Sequence, residues 1–285
     1  MWNGWTALFV ASAMYSSGEM LDVLAIQTGT GWQNSTINAI PDLNITVVSA
    51  PELMTIDFSD FDALYVSDVW NARSTPDWAG VLNDRTADIL AYVNGGGFVL
   101  VGNQNYGGEG TTNGDEYNFL GGLADAPADL TICAEDVVIT EPDHPLFDGL
   151  TSEDLSDWAC SYHGILDIGT LPILATNNAG DPVIRGGPVG AGGVFVWTLD
   201  PDFHFDLDDG VLAALVLVEN AVGLVEAGPA CPWDLDDNGN VGASDLLSLL
   251  VSWGPCKGCP ADFDGNGVVG ATDLLALLVN WGPCP

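Results

Sequence analysis

Residues 89–102 read ILAYVNGGGFVLVG. A stretch at helical spacing, opening at Thr86 and closing by Val93, runs into three glycines, Gly95, Gly96 and Gly97. A short continuous apolar run, residues 98–101, follows at once. Glycine stops a helix because it takes left-handed backbone without a Cβ clash. Four residues of Phe, Val and Leu between turn signals read as a strand buried on both faces. Helix followed directly by buried strand is the repeating unit of a parallel sheet covered on both sides.

The same alternation extends outward. Residues 21–27 form a strand candidate and residues 33–40 a helix, while 45–48 and 63–67 continue the strand series. Residues 194–199 add another strand, and 211–225 a long closing helix. The expectation is an α/β domain over residues 21–226, its mostly parallel sheet carrying helices on both faces. Residues 227–230 read as a linker. Residues 1–20 are either a leader or an incomplete N-terminus: residues 5–15 are apolar and contain Ala11-Ser12-Ala13, but no Lys or Arg precedes them. No stretch reaches the ~18 apolar residues that span a bilayer.

Forty acidic residues stand against Arg73, Arg85, Arg185 and Lys257, a net charge of −36 on 285 residues. Such a surface repels phosphate backbones, so a nucleic-acid partner is excluded. A hydrophobic fraction of 47% sets the chain apart from disordered acidic tails. The six cysteines are Cys133, Cys160, Cys231, Cys256, Cys259 and Cys284. An even number without a neighbouring histidine favours disulfides over a Cys₄ zinc site, and disulfides imply an extracellular, secreted or cell-surface location.

Four of those cysteines border an internal repeat. Residues 231–256 (CPWDLDDNGNVGASDLLSLLVSWGPC) and 259–284 (CPADFDGNGVVGATDLLALLVNWGPC) align without gaps and share 19 of 26 positions. Each holds an EF-hand-like loop. Asp234, Asp236 and Asn238 occupy loop positions 1, 3 and 5, Gly239 the sharp turn at 6, the Asn240 carbonyl position 7 and Asp245 position 12. In the second unit Asp262, Asp264, Asn266, Gly267, Val268 and Asp273 fill the same places. Hard oxygen ligands at alternate positions suit a hard cation, so two Ca²⁺ ions are expected. Position 12 is Asp where Glu is common, and Cys-Pro replaces an entering helix. One helix follows each loop, residues 245–252 and 273–280, ended by Trp-Gly-Pro. The cysteines pair either as Cys231–Cys256 with Cys259–Cys284, which respects the repeat better, or as Cys231–Cys284 with Cys256–Cys259.

Loop plus exiting helix, twice, resembles the dockerin family in its cysteine-bordered form. That resemblance implies a small all-α, EF-hand-type domain over residues 231–285. It also implies a cohesin-like partner, met by the residues just before the last ligand, here Ala243, Ser244, Ala271 and Thr272. A cell-surface component is the other reading of the partner. Leu246, Leu247, Leu249 and Leu250 are expected to pack mostly against their repeat partners.

In residues 21–226, ILAYVNGGGFVLVG, DHPLFDGL, GGVFVWTLDPD and LVENAVGL resemble the class I glutamine amidotransferase-like superfamily, in its trehalose-utilisation-like branch on a flavodoxin-like scaffold. The resemblance implies a nucleophilic cysteine at the elbow after residues 98–101. The chain has Gly102-Asn103-Gln104-Asn105 there, which supplies no thiolate. His204 lies where the family's catalytic histidine is sometimes found and is the one catalytic candidate, alone or with Asp202 and Asp206; its bland reading is a hydrogen-bonded surface residue. His144 reads as structural within DHPLFDGL, and His163 has no identifiable partner. Cys133 and Cys160 are expected to form one disulfide. The loops at the carboxyl ends of strands, residues 28–33, 68–77, 103–113 and 200–208, are where ligands bind in such sheets. The Asn, Gln and Tyr of residues 103–113 suit a carbohydrate. These features favour a non-catalytic ligand-binding domain joined to a calcium-dependent docking module; the alternative is an extracellular hydrolase of polysaccharide or a related substrate, delivered by that module.

Overall fold

A computed structural model describes residues 20–26, 34–67, 78–102, 119–124, 133–158, 160–166, 168–207, 211–227, 231, 233–236, 238, 240–256, 259–263 and 267–284. The strands are β1 (Leu21–Ile26), β2 (Leu43–Val48), β3 (Ala63–Val66), β4 (Phe98–Gly102), β5 (Val137–Ile139), β6 (Ile173–Asn177), β7 (Pro182–Val189) and β8 (Gly192–Trp197). They form one eight-stranded sheet in the order β2-β1-β3-β4-β8-β7-β6-β5. From β2 to β8 neighbours are parallel; from β8 to β5 they are antiparallel. The parallel part has the 2-1-3-4-5 order of a flavodoxin-like sheet once β8 is counted fifth, so the architecture is consistent with that scaffold.

Side chains alternate across a strand, and that alternation sorts this domain into two cores. Val23, Tyr65, Leu100, Phe195 and Trp197 enter the cluster on one face. Their neighbours Leu24, Leu64, Val66, Val99, Val101 and Val196 enter the other. Among the helices are α1 (Ser35–Ala39), α2 (Ala50–Leu53), α3 (Trp78–Asp84), α4 (Thr86–Asn94), α5 (Ser152–Ser156), α6 (Pro201–Leu207) and α7 (Leu212–Ala227). Ile37 of α1 with Leu217, Val218 and Val222 of α7 cover the first face, while Leu53, Leu82, Ile89 and Val93 cover the second. Gly96, at φ 117°, makes the turn from α4 to β4. A Cβ on Gly97 would collide with the ring of Tyr92, so the glycines also let strand and helix close up.

The mostly parallel sheet is as expected, and β5, β6 and β7 extend it with antiparallel pairings that the sequence did not announce; two further expectations change. β7 escaped the apolar pattern because Pro182, Arg185, Gly186, Gly187 and Pro188 read as a turn; Arg185 nevertheless stays buried by donating to the carbonyls of Leu166 and Leu171, each at 2.6 Å. The closing helix runs to Ala227, so the linker is shorter than expected; residues 228–230 lie outside the described residues, as do 1–19. The C-terminal units are not all-α. They contain α8 (Ala243–Val251) and α9 (Ala271–Val279), but also short strands β9 (Asn240–Val241), β10 (Gly254–Pro255), β11 (Val268–Val269) and β12 (Gly282–Pro283). β9 pairs with β12 and β10 with β11, both antiparallel. Val241, Leu249, Ala261, Val269 and Leu277 make a separate small core.

All three disulfides are formed: Cys133–Cys160, Cys231–Cys284 and Cys256–Cys259. In the tail this is the end-to-end arrangement, not the pairing within repeats, because the β9–β12 pairing brings the last residues of the second unit beside the start of the first. Leu249 is buried as expected and Leu246 partly so, whereas Leu247 is 63% and Leu250 48% exposed. A nine-residue helix set against a small partner can bury only one stripe of its surface.

Candidate functional site

Among the described residues, metal-type ligands converge in loop 1, between Cys231 and α8. One carboxylate oxygen from each of Asp234, Asp236 and Asp245 lies within 4.8 Å of the others. The turn that brings them together is local. Asn238 donates its backbone N–H to Asp234 Oδ1 at 3.1 Å, and its side-chain amide to Asp236 Oδ1. Asp245 sits in the first turn of α8 and is fully buried. Its Oδ1 accepts from Leu235 N at 2.7 Å and Asp236 N at 3.2 Å, and its Oδ2 from Gly242 N at 2.7 Å. Burial raises the Asp245 pKa, but the donors at Gly242, Leu235 and Asp236 outweigh it and hold the carboxyl below its ordinary value. The loop sets three carboxyl groups at close range, an arrangement that a divalent cation relieves. Asn240, whose carbonyl is the expected position-7 ligand, lies in β9.

Loop 2 repeats the frame. Asp273 is fully buried in the first turn of α9; its Oδ1 accepts from Phe263 N and its Oδ2 from Gly270 N, each at 2.8 Å. Asp262 Oδ2 accepts from Gly267 N at 2.8 Å, and Gly267 makes its turn at φ 85°. Asp262 Oδ1 is buried without a hydrogen-bond partner among the described residues, as expected of an oxygen reserved for a cation. Val268 lies in β11, while Asp264 and Asn266 lie outside the described residues. The ligand set present is all oxygen, as calcium prefers. Ala243, Ser244, Ala271 and Thr272 are exposed at the helix starts.

In the larger domain the structure regroups the candidates. Asp200 follows β8 and is buried between two histidines: His163 Nε2 lies 3.2 Å from Oδ2 and His204 Nε2 3.1 Å from Oδ1. His204 is buried, not at the surface, with its ring centroid 5.7 Å from that of Trp158. Its Nε2 also faces the Cys160 carbonyl at 3.3 Å. A carbonyl can only accept, so in this contact Nε2 carries the proton. His163 therefore does have a partner. No local pattern announced it, since Asp200 is 37 residues away; the link forms because His163 N donates to the Thr198 carbonyl at 3.0 Å, at the end of β8.

Asp202, grouped with His204 on sequence, belongs to a different network. Its Oδ1 accepts from Thr36 N at 2.9 Å and Thr36 Oγ1 at 2.5 Å, and its Oδ2 from Tyr65 OH at 2.9 Å. Burial pushes its carboxyl above the ordinary range against those donors. Asp206 is exposed. His144 is structural as read: its Nδ1 accepts from Leu146 N at 3.1 Å, capping a short 3₁₀ turn, Pro145–Phe147. Of the four expected ligand loops, residues 28–33, 68–77 and 103–113 fall outside the described residues, and 200–207 form the start and body of α6. At the opposite end of the sheet a groove of about 760 Å³ is lined by Asp57, Asp62, Arg85, Asp88 and Tyr92. Its one cation is engaged internally: Arg85 bonds the Leu53 and Ile56 carbonyls and Asp88, and lies 4.1 Å over the Phe58 ring.

No family model matches the chain, and no curated protein matches it. Solved structures do. Cytoplasmic protein STM3548 from Salmonella typhimurium has a TM-score of 0.51 at 14% identity, covering 74% of this chain and 100% of its own. Cytoplasmic protein STM1381 from Salmonella typhimurium LT2 has a TM-score of 0.51 at 17% identity, covering 72% and 99%. At such identity the likeness is one of fold. Both proteins are named as cytoplasmic, which points away from the extracellular location inferred from the cysteines, and that inference is withdrawn. Its premise was at fault: cysteine number and spacing report which pairs can form, and the compartment is a further step. Among the described residues no helix is long and apolar enough to cross a membrane.

Proposed function

We propose that the C-terminal repeats are a dockerin-like module that binds two calcium ions and docks or anchors the chain to a partner, and that the flavodoxin-like, amidotransferase-like domain binds a ligand without turning it over. The observation that carries the calcium reading is the convergence of Asp234, Asp236 and Asp245 within 4.8 Å. The buried Asp262 Oδ1, without a hydrogen-bond partner among the described residues, supports the second site. The docking reading draws on a duplicated exposed surface: Leu247, Leu250 and Trp253 are matched in the repeat by Leu275, Leu278 and Trp281, each more than 45% exposed. A cohesin-like domain is the proposed partner, and a carbohydrate the proposed ligand of the larger domain.

Calorimetric titration of the full chain with calcium, disulfides intact, tests the proposal. Two bound ions per chain support it, and no heat up to millimolar calcium overturns it. The second reading is a hydrolase acting on polysaccharide or a related substrate, favoured by buried Asp200 held between His163 and His204. Turnover in a substrate screen that disappears in His204→Ala would establish that reading over the binding one.

A further inference from the structure

The strand pairings of the C-terminal units cross between the repeats. Loop 1 contributes β9, and β9 pairs with β12, which follows the helix of the second unit: Asn240 faces Pro283 and Val241 faces Gly282. Loop 2 contributes β11, and β11 pairs with β10, which follows the helix of the first unit: Val268 faces Pro255 and Val269 faces Gly254. Cys256 N adds a bond to the Gly267 carbonyl at 2.9 Å. Asn240 and Val268 stand at position 7, where the backbone carbonyl is the metal ligand. So the segment that supplies this ligand in each loop is held by the tail of the other unit's helix. The Cys231–Cys284 disulfide reinforces one such clamp, joining the start of the first unit to the end of the second.

Each helix thus has two ends with different duties. The first turn of α8 carries Asp245, the closing residue of loop 1, and the strand after α8 clamps loop 2. The first turn of α9 carries Asp273, the closing residue of loop 2, and the strand after α9 clamps loop 1. The path runs from loop 1 through α8 to loop 2, and through α9 back to loop 1. Val241 and Val269, the fully buried residues next to the two position-7 residues, meet Leu249 and Leu277 in one shared core. A small core closed in this ring has no half that can order by itself. An ion that orders one loop thereby prepays part of the ordering the other requires, and that saving is a coupling free energy between the sites.

We infer that the two calcium loops fill cooperatively, each controlled by the unit to which it does not belong. This rests on the calcium reading above. A reporter for one loop is built into the sequence. Trp233 immediately precedes Asp234, and its counterpart before Asp262 is Ala261, so terbium luminescence lost in Trp233→Phe isolates loop 1. The experiment titrates the full chain with terbium and follows that signal in wild type, Asp262→Asn and Gly282→Ala. Asp262→Asn removes a loop 2 ligand; Gly282→Ala strains the clamp at φ 132° without touching a ligand. The expected result is a Hill coefficient of about 1.5 or more in wild type, and loop 1 half-saturation raised about 5-fold or more by each variant. A wild-type Hill coefficient of about 1 with loop 1 half-saturation unchanged in both variants overturns the coupling while leaving two calcium sites. Absence of any bound terbium or calcium in wild type overturns the calcium reading itself. Should a variant not fold, the wild-type Hill coefficient still decides.

Discussion

Asp245 has two separable tasks: it is the proposed closing ligand of loop 1, and it accepts three backbone hydrogen bonds. Asp245→Ala removes both, leaving the N–H groups of Leu235, Asp236 and Gly242 without their acceptor. Unmet buried donors cost about 1–3 kcal/mol, so the variant is expected to lose calcium at loop 1 and to be about 2 kcal/mol less stable even in chelator. Asp245→Asn keeps one acceptor oxygen, so it should lose calcium with a smaller loss in chelator; urea melts in chelator beside calcium calorimetry distinguish the two. His144 makes a prediction about pH. Burial lowers its pKa, with Glu141 pulling the other way. The neutral ring is the form that accepts from Leu146 N. A histidine whose folded pKa is depressed contributes fully above its unfolded value of about 6.5 and loses that contribution as pH falls through the folded one. Stability of the larger domain should therefore decline on acidification below about pH 6.5, and His144→Asn, which keeps an acceptor in place and cannot titrate, should flatten that part of the profile. An unchanged slope in urea midpoints across this range would remove His144 from the account.

At the level of elements, the parallel part of the sheet was legible because each of β1, β3, β4 and β8 contains four consecutive buried apolar residues. β5 to β7 were not, since Val137–Ile139 is too short to show a period and Pro182–Val189 hides a buried arginine among prolines and glycines. The proposed calcium loops could be written down from sequence because the pattern is local, six positions within twelve, and the structure brings Asp234, Asp236 and Asp245 of the first together. The crossed pairing of β9 with β12 was invisible, because two-residue strands have no pattern and the pairing spans about forty residues. The same limit hid the contact of His163 with Asp200. Helix α8 tests how far local pattern reaches. Leu247 and Leu249 are alike on paper, yet the first is 63% exposed and the second fully buried. Leu249→Ala should cost about 2–5 kcal/mol of module stability, and Leu247→Ala no more than about 0.5 kcal/mol. If Leu247→Ala abolishes partner capture while leaving the urea midpoint in place, the exposed ladder is the docking face; if both variants destabilise alike, the core is assigned to the wrong stripe.

For the whole molecule, the decisive contrast is between cores of very different size. The larger domain buries apolar side chains on both faces of an eight-stranded sheet, whereas among the described residues the repeats share a core of five buried hydrophobic residues. So small a core does not offset the chain entropy of its own residues; the two tail disulfides add to it, and on the reading proposed above calcium supplies the rest. Calcium and salt should therefore act on the molecule differently. A net charge of −36 makes the folded chain repel itself, and simple salt screens that repulsion wherever it occurs. Calcium bound at specific loops stabilises only the unit that contains them, by about 2.7 kcal/mol per site at a hundred times the dissociation constant. Differential scanning calorimetry of the oxidised chain is expected to show a large transition and a small one. Sodium chloride raised to about 0.5 M should move both upward, while calcium added at constant ionic strength should move only the small one, and chelator should return it. If calcium moves both transitions together, as salt does, the ion acts as a counterion to the acidic surface and not as a ligand of the loops; if it moves neither, the tail is held by its disulfides and its shared core alone.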